Sequence, residues 1–501
     1  MSSRNRVVAI AVSVAIFTLA YMLPSTIAKA FEMDEGAVNA YAVRILDGAV
    51  PHRDFLTFYG PGNLWLVAGA FAIFGESVGV ERAVGAAYRV LIVLALFAIG
   101  RRLGGLPAAI AAGLGAATIM AEAVVWAYAT YGAIAFGLVG LALLSETATR
   151  VPSRGVGIAV AAAGVAAGFA VLIRFDVGPA VVLSSLPILA LASRWTRVHF
   201  AAGFLAAMAV FAVHLIVVGP ERVSRVVTDI LAAGPGRYLQ RQTIWEGTGS
   251  LLAVANLSTA ALLVVGAFLT WRWRTELAPR IALAVGLFNL GLLPLTISRM
   301  DPLHVRPYAI VPLSLLPGLE LLAVSKLGRR RRLALTFAVA AAVVWGALHY
   351  GDYSVDHFRK VRDVKSGYRG FYDDDSFGAK LVVEHAKQVT RPGESLFVGP
   401  EDLRRTNYGP TYMYFLLREL EPASFYMEMN PQTANRESSG LADELRETDW
   451  LILSSEWDNW DEPNESSEYG SPIPNQVVDD LFCMRFEAPQ YRLYERCDRS
   501  Q

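Results

Sequence analysis

The sequence predicts a polytopic α-helical membrane protein with a small α/β domain after its last span. Charged residues make up only 18% of the 501 residues, and the mean hydropathy is +0.38. Apolar runs of about twenty residues, the length that crosses a bilayer, recur along residues 1–349. The composition changes to polar and acidic from residue 350 onward. The net charge is zero, so we expect no nucleic-acid partner.

The first predicted span is the apolar run Val7–Ala28, which follows Arg4 and Arg6. It is too long for the core of a typical signal peptide, and many further apolar runs follow. These lie at 82–100, 107–121, 131–146, 155–173, 177–193, 198–218, 249–271, 279–297, 305–323 and 333–349. Together they predict about eleven transmembrane helices. Several are rich in Ala and Gly, which favours close helix packing in lipid.

Basic residues in the loops indicate the orientation. The run of four arginines at 329–332, beside the last span, favours a cytoplasmic N-terminus. An odd number of spans then puts residues 350–501 and the loops at about 29–81 and 219–248 outside the cytoplasm. The Arg-over-Lys bias and the abundance of Ala, Val and Gly are typical of a GC-rich bacterial genome, so we expect a bacterial inner-membrane protein.

The C-terminal segment 350–501 alternates predicted strands and helices. "ESLFVG" and "DWLILSS" are typical of buried strands, and "SFGAKLVVEHAKQV" and "SSGLADELRE" of helices. Cys483 and Cys497 flank two predicted short strands. They either form a cross-strand disulfide or are buried independently of each other. "YDDDS" and "EWDNWDEPNESSEYG" indicate either a carbohydrate-binding surface or an ordinary solvated acidic face.

The first external loop carries an unusual set of charges. Asp34 and Glu35 follow the first span directly, and "DEGAVNAYAVRILDG" predicts a helix that begins at Asp34 and ends at Gly48. Asp34 suits a helix cap, but an acid where a span emerges is also often functional. Arg53 and Asp54 follow, then a turn at Tyr59, then an apolar helix that we expect to lie in the membrane interface.

These stretches resemble one known family. "MDEG", "ILDGAVPHRDF", "YGPGNLWLVAGAFAIFG" and "VERAVGAAYRVLIVLALFAIGRRLGG" look like the first hundred residues of GT-C glycosyltransferases, most of all the aminoarabinose-transferase and protein O-mannosyltransferase branch. The later spans and the C-terminal domain match in layout only. The resemblance implies transfer of a monosaccharide, with inversion, from a polyprenyl-phosphate carrier to an extracytoplasmic glycan, lipid or protein. It maps the catalytic acid of the family to Asp34, with Glu35 beside it.

The chemistry gives these residues roles. A carboxylate can take the proton of an acceptor hydroxyl, so Asp34 is the predicted general base, with Glu35 and Asp54 as helpers. Arginine forks suit the departing phosphate. The candidates for donor-phosphate binding are Arg53, Tyr59, Arg174, Arg299, His304 and Arg306. Alternatively, Arg174 pairs with Asp176, and Arg299 and Arg306 reach lipid head groups.

Two further questions stay open at the sequence level. Asp34 and Glu35 offer oxygen ligands to a divalent cation, although no ligand spacing demands one. A transporter or lipid flippase is the main alternative function, because charges near spans also line substrate paths. A binding or assembly protein on a transferase fold is the second. Loss of turnover on removal of the Asp34 carboxylate separates an enzyme from this second alternative.

Overall fold

The computed structural model describes residues 3–26, 30, 32–120, 125–238, 249–298, 302–326, 371, 377–405, 409–429, 433–458 and 469–500. The chain divides into two compact units. We call the first the membrane unit; it comprises Met1–Thr26, Ala83–Ala212 and Thr243–Val364. We call the second the loop–sheet unit; it comprises Ile27–Arg82, Val213–Gln242 and Lys365–Gln501.

Helices account for nearly all of the described chain before residue 327. They are α1 (Ser3–Met22), α2 (Asp34–Leu46), α3 (Gly62–Phe74), α4 (Val78–Ile119), α5 (Ala129–Thr147), α6 (Arg154–Ile173), α7 (Gly178–Leu189), α8 (Arg194–Val218), α9 (Pro220–Tyr238), α10 (Gly249–Arg272), α11 (Leu277–Ser298) and α12 (Pro302–Lys326). Among the described helices, eight are long and apolar enough to cross a membrane. This confirms a polytopic helical membrane protein.

The 42-residue helix α4 contains two of the predicted spans. Gly104 and Gly105 leave the helical region, and Gly105 has a φ of +73°, which glycine adopts at little cost. A Cβ built on Gly113 would lie 3.7 Å from both Val93 and Phe97. In one straight helix, residues 16 to 20 positions apart would be separated by at least about 24 Å. The chain therefore folds back as a hairpin, as predicted for 82–100 and 107–121.

One predicted span is shorter in the structure than predicted, and another lies outside the described residues. The span predicted at 177–193 is the 12-residue helix α7, preceded by a 3₁₀ turn at Phe175–Val177, and it is shorter than a bilayer-crossing helix. The span predicted at 333–349 lies outside the described residues, and so does the proposed domain boundary at 349–350.

Small residues bring helices of the membrane unit into close contact. A Cβ on Gly164 of α6 would lie 2.1 Å from the carbonyl oxygen of Phe200 in α8, and one on Gly203 of α8 would lie 2.0 Å from that of Ala161. Only glycine allows two backbones to approach this closely. The Ala- and Gly-rich composition of the predicted spans thus has the packing role expected for it.

The C-terminal part of the loop–sheet unit is an α/β domain, as predicted. The five strands among its described residues are β1 (Ser395–Pro400), β2 (Glu421–Pro422), β3 (Trp450–Ser454), β4 (Phe482–Ala488) and β5 (Tyr491–Arg496), in the order β2-β1-β3-β5-β4. β1 is parallel to β2 and β3, whereas β5 is antiparallel to β3 and β4. The helices are α13 (Phe377–Val389), α14 (Met413–Leu416), α15 (Leu441–Arg446) and α16 (Ile473–Leu481).

The predicted strands and helices of this domain are confirmed within a few residues, and Cys483 and Cys497 form a disulfide beside the β4–β5 pair. Most of the two acidic stretches lies outside the described residues, at 372–376 and 459–468. The interpretation of these stretches as a carbohydrate surface therefore stays a prediction.

The first loop shares its hydrophobic cores with this domain. Tyr41 and Phe55 belong to one core with Tyr412 and Trp450 of the domain. A second core joins Leu56, Phe58 and Val226 to residues of β1, β3 and β4, which include Phe397, Leu453 and Phe482. A backbone hydrogen bond of 2.8 Å from Leu56 to Phe425 reinforces the connection. The loop and the domain therefore form one folded body, which the sequence does not reveal.

Candidate active site

Helix α2 carries the predicted catalytic acids. It begins at Asp34, ends at Leu46 and is followed by Gly48 with a φ of +97°. The amide of Gly48 donates to the carbonyl of Ile45, and that of Ala49 to the carbonyl of Arg44, the pair of bonds typical of a Schellman motif. The start and the glycine stop are therefore as predicted.

Asp34 is the first helical residue of α2, whereas the N-cap position belongs to Met33. The simple cap interpretation of Asp34 therefore does not describe its position. Its side chain is half-buried, and the N-terminal turn of a helix stabilises a carboxylate. Asp34 is thus a carboxylate held at a helix start and not sealed in the core.

Glu35 has a different environment. It is fully buried, and both of its oxygens accept from the Arg82 guanidinium, at 2.7 Å from Nε and 3.1 Å from Nη2. Arg82 is itself only 1% exposed. Adjacent helix positions diverge by about 100°, which separates the two acids. The Glu35 carboxylate fastens α2 to the start of α4 through a pair of charge-assisted hydrogen bonds.

Arg53 and Asp54 pair with each other at the surface. The Arg53 Nε and Nη2 atoms lie 3.0 and 2.8 Å from the two Asp54 oxygens, and the side chains are 41% and 37% exposed. The Arg53 hydrogen bond lowers the pKa of Asp54. Asp54 also accepts from the Val50 amide at 2.7 Å, which closes the turn. Tyr59, another candidate for phosphate binding, lies five residues after Asp54 and is half-buried.

His52, which the sequence analysis did not single out, holds this loop in place. It is buried, has a φ of +68°, and its Nε2 lies 3.0 Å from the carbonyl oxygen of Tyr59. A carbonyl only accepts, so Nε2 carries the proton and Nδ1 accepts from His214 Nε2 at 3.0 Å. Burial and His214 lower the pKa of His52 to about 4. The His52 ring is therefore neutral near pH 7.

In the membrane unit, Arg174 follows α6 directly. Its guanidinium donates to both oxygens of Asp176, at 3.0 and 2.7 Å, and to the Thr130 hydroxyl at 2.6 Å. Arg174 is buried, whereas the Asp176 side chain is 37% exposed. The structure therefore realises the alternative in which Arg174 and Asp176 pair, and it adds Thr130 as a third member.

His304 lies in the first turn of α12. Its Nε2 is 3.2 Å from the Tyr128 hydroxyl. Arg306 is half-buried two residues further on, and Arg299 lies outside the described residues. Tyr128 and Thr130 belong to one short segment, so the membrane unit brings His304 and Arg174 to the same stretch of chain.

A buried arginine positions this stretch. Arg89 is fully buried in α4; its Nη1 donates to the Trp126 carbonyl at 2.9 Å, and its guanidinium lies 4.2 Å from the Tyr131 ring centre. A Cβ on Gly85 would lie 2.3 Å from the Trp126 carbonyl carbon, so the chain runs directly against α4 there. An arginine inside a predicted span is a signal that sequence analysis can use, and here it points to this segment.

Within the described residues, no group of three or more His, Cys, Asp or Glu side chains is arranged to hold a metal ion. Glu35, one of the two predicted cation ligands, has both oxygens in its ion pair with Arg82. A divalent cation at Asp34 and Glu35 therefore stays a prediction, and it requires Glu35 to leave Arg82.

The fold and these residues define a polytopic membrane protein whose first loop presents an acid at a helix start. No protein-family model matches the sequence, and no curated protein matches it either. Solved structures, by contrast, match over nearly the whole chain.

The structure is similar to that of ArnT from Cupriavidus metallidurans, both in the apo state and bound to undecaprenyl phosphate. The TM-scores are 0.58 and 0.56 and the identities 15% and 14%, with 98% of each chain covered. It is also similar to the archaeal oligosaccharyltransferase AglB from Archaeoglobus fulgidus in complex with an inhibitory peptide and a dolichol-phosphate. There the TM-score is 0.55 and the identity 10%, over 96% of this chain and 73% of that one. The chain therefore has the GT-C fold, as the resemblance implied.

Proposed function

We propose that this protein transfers a monosaccharide from a polyprenyl-phosphate carrier to a glycan, lipid or protein acceptor outside the cytoplasm. The observation that carries the proposal is the half-buried Asp34 at the first turn of α2, in a chain of GT-C fold. The similar structures were solved with undecaprenyl phosphate and with a dolichol-phosphate, which supports a carrier of this class.

In this mechanism Asp34 is the general base. The acceptor hydroxyl attacks the anomeric carbon from the face opposite the phosphate, and its proton passes to the Asp34 carboxylate. The new carbon–oxygen bond forms as the bond to phosphate breaks through an oxocarbenium-like state, so the configuration inverts. The polyprenyl phosphate leaves with the bonding electron pair and needs positive partners rather than a strong acid.

Candidates for that partner role lie in both units. Arg174, His304 and Arg306 belong to the membrane unit, whereas Arg53 and Tyr59 belong to the loop–sheet unit. Arg299 stays a sequence-based candidate outside the described residues. Arg174 donates to Asp176 and Thr130, so a donor phosphate has to displace the exposed Asp176 to take its place on the guanidinium. His304 would have to exchange its Tyr128 contact in the same way.

We further propose a bacterial inner-membrane location with a cytoplasmic N-terminus and an extracytoplasmic C-terminal domain. The disulfide between Cys483 and Cys497 supports an oxidising compartment for that domain. The run of four arginines at 329–332 supports the same orientation. Membrane lipids then surround the spans, and the carrier reaches the loop from the bilayer.

The test uses purified protein in lipid nanodiscs and a panel of polyprenyl-phosphate monosaccharides, with sugar transfer or release as the readout. Asp34→Asn keeps the shape and removes the base. We expect kcat to fall at least about 100-fold, with donor affinity within about threefold of wild type. Asp47→Asn, just past the other end of α2, is the matched control and should keep its activity.

Equal activity of Asp34→Asn and wild type would reject Asp34 as the base. Absence of transfer with every donor and acceptor, together with movement of a labelled polyprenyl-phosphate lipid across the bilayer, would replace the transferase by the flippase alternative.

A further inference from the structure

The turn of α2 that carries Asp34 is pressed against the C-terminal domain. A Cβ built on Gly36 would lie 2.6 Å from the Tyr412 Cβ and 3.1 Å from both the Tyr412 Cα and its amide nitrogen. Real Cβ atoms essentially never come closer than 3.0 Å to such neighbours. Because two of the three neighbours are backbone atoms, a rotamer change of Tyr412 cannot relieve the clash.

Tyr412 is in turn fixed inside the domain. It is fully buried, and its ring stacks on Phe371 at 5.1 Å between centres. Its hydroxyl lies 3.2 Å from the hydroxyl of Tyr491, which donates to Glu456. Because the Tyr491 proton points to the Glu456 carboxylate, Tyr412 is the donor to Tyr491. A chain of hydrogen bonds therefore ties Tyr412, the residue in contact with Gly36, to β5 and to the segment that follows β3.

The same turn is fastened from another side. Glu35, between Asp34 and Gly36, is bound by the buried Arg82. One ion pair and one close backbone contact thus fix the two residues that follow Asp34. Both contacts act on the residues directly after Asp34, and together they determine where α2 begins.

We propose that Tyr412 is a positioning residue for Asp34, and that the C-terminal domain sets the place of the catalytic carboxylate through the Tyr412–Gly36 contact. This inference rests on the proposed function of Asp34. It gives the C-terminal domain a direct part in the reaction that differs from acceptor binding.

Gly36→Ala tests the contact. Ordinary contact requires about 3.4 Å, so the methyl group has to move the turn by about 0.8 Å. A misplacement of about 1 Å costs a reaction on the order of 100-fold. Alanine is also the better helix former by about 1 kcal/mol, so a loss does not come from a weaker helix. We expect kcat to fall about 10- to 100-fold with the donor KM within about threefold.

Gly69→Ala is the matched control. Gly69 lies inside α3 of the same loop, and a Cβ there would meet nothing within 4 Å. The substitution makes the same chemical change and the same gain in helix propensity, and it should leave kcat unchanged. Tyr491→Phe is the second test variant: it removes the hydroxyl that holds Tyr412 but adds no bulk, and kcat should fall several-fold.

A measurement without substrate separates this inference from the proposed function. Carbodiimide labelling of carboxylates, read by mass spectrometry, gives the reactivity of Asp34 directly. We expect Gly36→Ala to change the Asp34 labelling rate at least about threefold and Gly69→Ala to leave it as in wild type. An unchanged rate in Gly36→Ala would overturn the inference whether or not a donor is known.

The Asp34 labelling rate and kcat together show whether the inference about Tyr412 or the proposed function has failed. A changed Asp34 labelling rate with an unchanged kcat would also overturn the inference, because the contact would then position nothing that the reaction uses. A changed rate in a protein that transfers no sugar from any donor would overturn the proposed function and retain the contact as a determinant of the Asp34 position.

Discussion

Removal of one partner from the Glu35–Arg82 pair should be among the most damaging changes in the first loop. Glu35 is 0% and Arg82 1% exposed, and the carboxylate accepts two hydrogen bonds from the guanidinium. Glu35→Gln keeps the size of the side chain but removes the carboxylate charge to which the buried Arg82 guanidinium donates. The expected consequence is release of the start of α2, and with it Asp34.

The magnitude follows from burial. Breaking a buried pair on one side costs about 3–5 kcal/mol, because the remaining charge stays out of water. The Arg53–Asp54 pair of the same loop makes the comparison: with exposures of 41% and 37%, its loss through Asp54→Asn should cost at most about 1 kcal/mol. Both substitutions turn an acid into its amide, so the difference between their losses in the free energy of unfolding reports the effect of burial.

The free energy of unfolding can be measured by SDS titration in mixed micelles, and hydrogen exchange of residues 33–46 reports local release. Glu35→Leu combined with Arg82→Met should recover most of the loss, since an apolar pair of similar volume replaces a buried ion pair well. If Glu35→Gln costs no more than Asp54→Asn, the buried pair does not hold α2, and Glu35 returns as a candidate for the chemistry.

Two further predictions concern the loop–sheet unit. The pKa of His52 is about 4 in the folded protein, against 6.5 when the side chain is exposed. The released loop therefore binds more protons than the folded loop at acid pH. As the pH falls from 6.5 to 4, the folded loop loses up to about 3 kcal/mol of stability. The protection factors of residues 50–60 in hydrogen exchange, which correct each rate for the intrinsic pH dependence of amide exchange, should fall as the pH falls over that range, and His52→Asn should remove this fall. Protection factors in wild type that do not change with pH would contradict the assignment. The double substitution Cys483→Ser with Cys497→Ser removes a disulfide between cysteines that are 14 residues apart in the sequence. It should destabilise the domain by about 3 kcal/mol, as measured by thermal unfolding. Reduction of the wild-type disulfide should have the same effect.

Local patterns predict most of the helices and strands because each depends on neighbouring residues. The apolar runs predict the spans, and the hairpin within α4 follows the predicted break between 100 and 107 because Gly104 and Gly105 interrupt the helix there. The 12-residue α7 is the exception in length. The joining of the first loop to the C-terminal domain is not predictable in this way, since Tyr41 and Trp450 share a core although about four hundred residues separate them.

The same distinction between local and long-range features applies to the candidate site. The acid pair and the helix that starts with it are visible in the sequence, but the partner of each acid is not. Glu35 finds Arg82 at a separation of 47 residues, and Arg174 finds Thr130 at a separation of 44. Such pairs depend on which helices pack together, which no local spacing records.

The two neighbouring acids therefore serve different ends, and the sequence order makes this possible. The rotation of about 100° between adjacent helix positions points Glu35 into the protein, where a buried guanidinium donates to both of its oxygens. The carboxylate of Asp34, one position earlier, stays at the partly exposed helix start. A general base needs a fixed position together with access to its substrate, and one side chain rarely provides both. In the proposed mechanism the fixed position comes from Glu35 and from the contact of Gly36 with Tyr412, and the access is left to Asp34.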